Sequence, residues 1–109
     1  MKATVLIALL ALATMAEAQG KQTFTGTISD GMCSRADHSR MRMGSTDAEC
    51  TNACVDAHGA VYVLYDGKTD YTLRGQAVLE KFAGQKVRVV GVLDAKARTI
   101  QVDSITLAK

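Results

Sequence analysis

The sequence predicts a mainly β domain, five antiparallel strands closing into a small barrel, with a loop and helix inserted early in the chain. Three observations carry this. Phe24, Gly26 and Ile28 alternate with Thr23, Thr25 and Thr27, the period of a half-buried strand. Two β-rich runs, Ala60 to Tyr65 and Thr69 to Leu73, flank Asp66-Gly67, a dipeptide suited to the positive φ angles of a tight hairpin. Lys86 to Leu93 and Arg98 to Leu107 close the chain as two further strands around a turn at Asp94 to Ala97.

Each element has a local cause. Strand one runs through Ile28, and no periodicity is left from Ser29 to Ser45, where Ser, Asp, Gly, Arg and Met crowd together. A loop of that length inside a small domain is expected to be functional or cross-linked. Thr46-Asp47-Ala48-Glu49 is a capping box, so a helix begins there. Cys50, Ala53, Cys54 and Ala57 follow at helical spacing, and Gly59 supplies the stop. Ala77, Val78, Leu79 and Phe82 predict one or two helical turns over residues 76–82 before Gly84. In the last two strands Val87, Val89 and Leu93 share one face, as do Ile100 and Val102. Gly91 and Ser104 fall where a small barrel needs a bulge. This order of elements, with a short helix between strands three and four, is that of an OB-fold-like barrel carrying an insertion over residues 29–59. An open five-stranded sheet with one packed helix is the alternative.

Composition sets limits. A chain of 109 residues with 48% hydrophobic side chains holds one domain. A net charge of +2 is too small for a dedicated nucleic-acid binder, so no nucleic-acid partner is expected. Lys2, the apolar run from Val5 to Ala13 and the Ala16-Glu17-Ala18 triplet have the form of a signal peptide over residues 1–18, leaving a domain of residues 19–109. The run is too short and too interrupted for a transmembrane anchor, so no membrane span is expected after cleavage. An exported chain, periplasmic or secreted, keeps its three cysteines in a compartment that permits disulfides.

Three pieces of the chain, Phe24 through Cys33, Asp47-Ala48-Glu49-Cys50-Thr51-Asn52-Ala53-Cys54, and Lys81 through Val87 leading into Val90-Gly91, carry a likeness that covers residues 22 to 107. In them the chain resembles a family of small exported bacterial proteins of unknown function. The resemblance implies an OB-like barrel and an export route, and no activity.

The reactive side chains gather in the insertion. Cys33, His38, Cys50, Cys54 and His58 have the spacing C-x4-H-x11-C-x3-C-x3-H, with the last three four residues apart on a helix. The preferred expectation is a disulfide from Cys33 to Cys54 or Cys50, which would pin the loop to the helix and stabilise by roughly 3 kcal/mol. A Cys50–Cys54 bridge suits helical geometry poorly. The alternative is a metal site of Cys33, Cys50 and Cys54 with His38 or His58, a donor set for zinc. Met32, Met41 and Met43 in the same loop would favour copper in its Cu(I) state if they joined it, although flexible apolar filler is their commoner use. A third possibility is a redox-active Cys50 near the helix start.

Other features read as structural. Arg35, Arg40 and Arg42 with Asp37 form a solvated charged surface, and Tyr62, Tyr65 and Tyr71 sit on the hairpin as packing residues. No catalytic triad, phosphate loop or H-E-x-x-H motif is present. The expected function is therefore a non-enzymatic exported binding or structural module without a cofactor, its loop stapled by cysteines. An envelope protein binding zinc or copper is the alternative, and a thiol redox protein the second.

Overall fold

The computed structural model describes residues 20–75 and 78–108. The signal-peptide expectation at residues 1–18 and the start of the expected helix at Gln76 and Ala77 lie outside them. Five strands form a closed ring in the order β1-β2-β3-β5-β4. They are β1 (Gln22–Asp30), β2 (Tyr62–Tyr65), β3 (Asp70–Gly75), β4 (Lys86–Asp94) and β5 (Thr99–Leu107), with one α-helix, α1 (Asp47–His58), between β1 and β2. Among the described residues no helix is long and apolar enough to cross a membrane.

The expectation of five antiparallel strands needs one correction. Four pairings are antiparallel, but β3 and β5 run parallel, with Leu73 opposite Ile100. The reason is topological: strand directions cannot alternate all the way round a ring with an odd number of members, so one parallel pair is required. The connection through β4 is long enough to supply the crossover that parallel pairing needs.

Strand β1 holds the ring together by changing partner along its length. Gln22 to Thr27 pair with β4, and Thr27 to Asp30 pair with β2. Gly26 sits at this changeover, where a Cβ would collide with the carbonyl oxygen of Tyr65. The expected bulge is at Gly91: Val90 pairs with Ser104 but Gly91 with Val102, leaving Asp103 as the extra residue. That single residue shifts the parity of β5, so Ile105 packs against the same core as Ile100 and Val102.

Ile28, Leu64, Leu73, Val87, Val89, Ile100 and Val102 fill the ring, with Phe24, Tyr62, Tyr71, Leu79, Phe82, Leu93 and Ile105 around them. Phe24 and Tyr71 meet with ring centroids 6.0 Å apart. At Asp66-Gly67 the connection is a four-residue loop in place of a two-residue turn. Only Gly67 takes positive φ, and the Asp66 carboxylate accepts hydrogen bonds from the amides of Lys68 and Thr69, both 2.8 Å. Asp94 caps the next turn in the same way, accepting from Lys96 and Ala97. The helix expected over residues 76–82 is a single 3-10 turn, Leu79–Phe82, and Val78, expected on its apolar face, is exposed.

Helix α1 begins and ends where expected. Thr46 Oγ1 accepts from the Glu49 amide at 3.1 Å, and Gly59 caps the other end with φ of 67°. The reciprocal half of the box is displaced by one residue: Glu49 Oε2 accepts from the amide and hydroxyl of Ser45. The helix is tied to the ring by Asn52, which donates to Glu80 O and accepts from Tyr62 Oη at 2.7 Å. At Gly84, where φ is 74°, the chain passes so close to Ala48 that a side chain would not fit.

Candidate metal centre

The insertion is shorter at its start than the sequence suggests, because Ser29 and Asp30 continue β1. Ile28, Ser29 and Asp30 are all fully buried, so the period-two pattern stops there. Both faces of the strand end are covered, one consequence being that two polar side chains are carried out of water. Beyond them Gly31 donates to Val61 O, and the Cys33 amide to Asp30 O at 3.1 Å, which turns the chain back over its own strand. Arg35 and Ala36 follow with φ of 59° and 55°. Two successive non-glycine residues in the left-handed region store strain. The loop is anchored there by Asp70, whose Oδ2 accepts from the Arg35 amide at 3.1 Å and from Ser34 Oγ.

This path brings Cys33, His38, Cys50 and Cys54 together, each at most 5% exposed. His38 Nδ1 lies 3.2 Å from Cys50 Sγ, and its Nε2 lies 3.4 Å from Ser29 Oγ. With the Nε2 proton donated to Ser29, the Nδ1 lone pair faces the Cys50 sulfur, where it competes with Met41 O for the single thiol proton and is open to a cation. Cys50 Sγ donates to Met41 O at 3.2 Å and accepts from the Met43 amide at 3.4 Å. Cys54 Sγ is 3.8 Å from Met43 Sδ. Cys33, Cys50 and Cys54 form one buried cluster covered by Met43 and Ala60.

Two expectations are corrected here. All three cysteines are free thiols, so the expected bridge from Cys33 to Cys54 or Cys50 is not formed. His58 is exposed at the last turn of α1 and does not reach the cluster. Spacing of four residues accumulates about 40° per step around a helix, so a residue eight positions on has turned about 80° away. The helix also ends at this point, beyond the part covered by the loop.

Asp30 is the residue that spacing alone does not reveal. It is fully buried, its Oδ2 accepts from the Met32 amide at 3.1 Å, and its Oδ1 has no partner. The available signal was its position three residues before Cys33, at the end of a strand whose alternation was about to break. The potential ligand atoms fall into two trios, Cys33, His38, Cys50 and Asp30, Cys33, Cys54, each with all atoms within 4.8 Å of one another. Thiolates on one tetrahedral zinc ion are roughly 3.8 Å apart, given Zn–S bonds of about 2.3 Å, so these separations need little adjustment.

Electrostatics point the same way. Burial pushes the Cys33 thiol up to about 12, and the neighbouring Asp30 carboxylate adds to the effect. Cys54 is pushed up to about 11 for the same reasons in the same order. Without a cation these thiols hold their protons, and a bound metal ion reverses that preference by supplying positive charge at the sulfurs.

The remaining candidates have structural partners. Arg42 pairs with Asp47 at 2.6 Å on the surface. Tyr62 holds Asn52, and Tyr65 donates to Gly67 O at 2.9 Å. A cleft of about 370 Å³ opens beside the cluster, lined by Met32, Cys33, Arg35, Arg40 and Met41 among others. Met32 and Met41 stand on its walls, each a little under half exposed.

A small closed ring of strands carrying a buried, sulfur-rich donor cluster in an insertion is the class of protein described by this fold and site. No family model, curated protein or solved structure matches the chain.

Proposed function

We propose that this protein is an exported, non-enzymatic OB-like module that binds a zinc ion in its insertion, through Cys33, His38 and Cys50 with Cys54 as the further thiolate. The OB-like assignment is supported by the ring order β1-β2-β3-β5-β4 and its one parallel pair. One observation carries the metal reading: four side chains of metal-binding type converge, buried and without a disulfide, on a loop that has no aliphatic core of its own. A metal ion supplies there what the expected staple would have supplied, a cross-link between loop and helix. It also neutralises thiolates that would otherwise be costly to bury. The ordered loop then presents the cleft beside Cys33 as the binding surface.

The export reading rests on residues 1–18 and predicts that protein recovered outside the cytoplasm begins at Gln19. Tag-free protein from that fraction is expected to contain zinc, and to expose three alkylatable thiols per chain once unfolded with a chelator. One alkylatable thiol and no metal would overturn the metal reading in favour of a disulfide. Met43 Sδ beside Cys54 supports a second reading, Cu(I), whose soft chemistry suits thioether and thiolate together. Elemental analysis separates the two metals.

A further inference from the structure

We propose that the cluster holds two divalent ions, with the Cys33 thiolate bridging them. The inference rests on the metal-binding reading above and extends it to Asp30 and to a second ion, to which Cys54 is reassigned. One ion takes Cys33, His38 and Cys50, and the other takes Cys33, Cys54 and Asp30.

Three observations lead there. First, the donors divide into two trios rather than one compact set, and Cys33 belongs to both. A thiolate sulfur has lone pairs enough to bind two ions at once, and it is the one donor here placed to do so. Second, Asp30 Oδ1 is fully inaccessible and meets no nitrogen or oxygen donor among the described residues, while the weakly donating Cys54 thiol lies against its carboxylate. Its other oxygen is already held by the Met32 amide, so the free oxygen is oriented by the protein and left for something else. An unsatisfied buried carboxylate oxygen is costly, and a cation on it removes the cost.

Third, two divalent ions match the charge of the donors when all three thiols are ionised. Three thiolates and one carboxylate carry four negative charges, and His38 as a neutral ligand adds none. Among the described residues no lysine or arginine is buried to offset them. One divalent ion leaves two of these groups either charged out of water or still protonated, whereas two ions compensate all four once ionised. Loading displaces the thiol protons to solvent, so no oxidant or reductant is involved. The remaining coordination positions are supplied by Met43 Sδ, beside Cys54, and by water entering from the cleft on which Cys33 lies.

The test is a titration of the reduced, metal-free full chain with Zn2+, followed by native mass spectrometry, and a parallel titration with Co2+. About two ions per chain are expected. Asp30→Asn is expected to retain about one, since it removes the charged donor of a single trio while keeping the shape of the side chain. In the two-cobalt form, a bridging thiolate couples the two spins and lowers the magnetic moment below that of two isolated ions. One ion in the unsubstituted chain, two in Asp30→Asn, or two uncoupled cobalt ions would each overturn the inference while leaving the metal reading intact. Binding of no ion would overturn both. Circular dichroism melts of Asp30→Asn establish that the ring is folded, so that its count reports on the site.

Discussion

Val89 at the centre of β4 and Cys50 in the first turn of α1 are both fully inaccessible to solvent, yet burial acts on them in opposite directions. The ring core around Val89 is aliphatic, and removing it from water is the stabilising event. The loop cluster around Cys50 contains three thiols, an imidazole and a carboxylate, for which the same removal is a penalty unless partners are found. In the ring the backbone is satisfied by strand pairing and the side chains need only fit. In the cluster Asp30 Oδ1 remains without a partner among the described residues, as do Thr51 Oγ1 on α1 and Asp70 Oδ1 at the start of β3 outside it. The aliphatic core of the ring thus needs nothing beyond its own packing, whereas the proposed metal would supply the buried cluster with a partner that its side chains do not.

The largest effect that would break this contrast lies in the ring. Val89→Asp buries an unpaired charge and is expected to abolish folding with or without metal, whereas Arg88→Asp, on the exposed face, is mild. Circular dichroism melts showing equal tolerance of the two would mean that the register of β4 is wrong. Leu64→Ala comes next, at about 2–5 kcal/mol for a core cavity. Its cost is expected to be the same in zinc-loaded and chelated protein, because the cavity opens in the aliphatic region. A metal-dependent cost in urea melts would show the two regions to be one cooperative unit.

Chelation under reducing conditions is expected to have a smaller and more local effect. Amides of residues 31–46 should lose hydrogen-exchange protection while those of β4 and β5 keep theirs. Equal loss in both would remove the distinction between a self-sufficient ring and a metal-dependent loop. In the metal-free protein the raised Cys33 and Cys54 pKa values add a pH dependence of definite sign. The folded state retains protons that the unfolded chain gives up above the ordinary thiol value of 9.0, so stability falls as pH rises from there towards about 12. Urea melts at constant ionic strength that were flat across this window would show the thiols to be less desolvated than the structure places them. The smallest effect is expected for His58→Ala, which should leave the zinc stoichiometry unchanged, and a loss of zinc would return His58 to the ligand set.

Much of this could be read from the chain. The alternation at Phe24, Gly26 and Ile28, the caps at Thr46 and Gly59, and the bulge at Gly91 are local, and each is present where its local chemistry requires. The concentration of Cys33, His38, Cys50 and Cys54 in one insertion was equally legible, because spacing along a chain survives folding. Asp30 was not, since it looks like the first polar residue of a loop until β1 is seen to continue beneath the cluster. The entry of His38 was also closed to sequence reasoning, because the loop that carries it has no periodicity, whereas helical rotation already turns His58 away from the face of Cys50.

The sequence by itself determined the elements, their order and the segment that holds the chemistry, because capping, alternation and turn formation depend on neighbours a few residues away. Tertiary structure alone decided that β3 lies parallel to β5, that His38 enters the cluster, and that Asp30 joins three buried thiols. Each of those outcomes depends on which surfaces cover one another after the ring has closed, and on charges brought together from positions as far apart as Asp30 and Cys54.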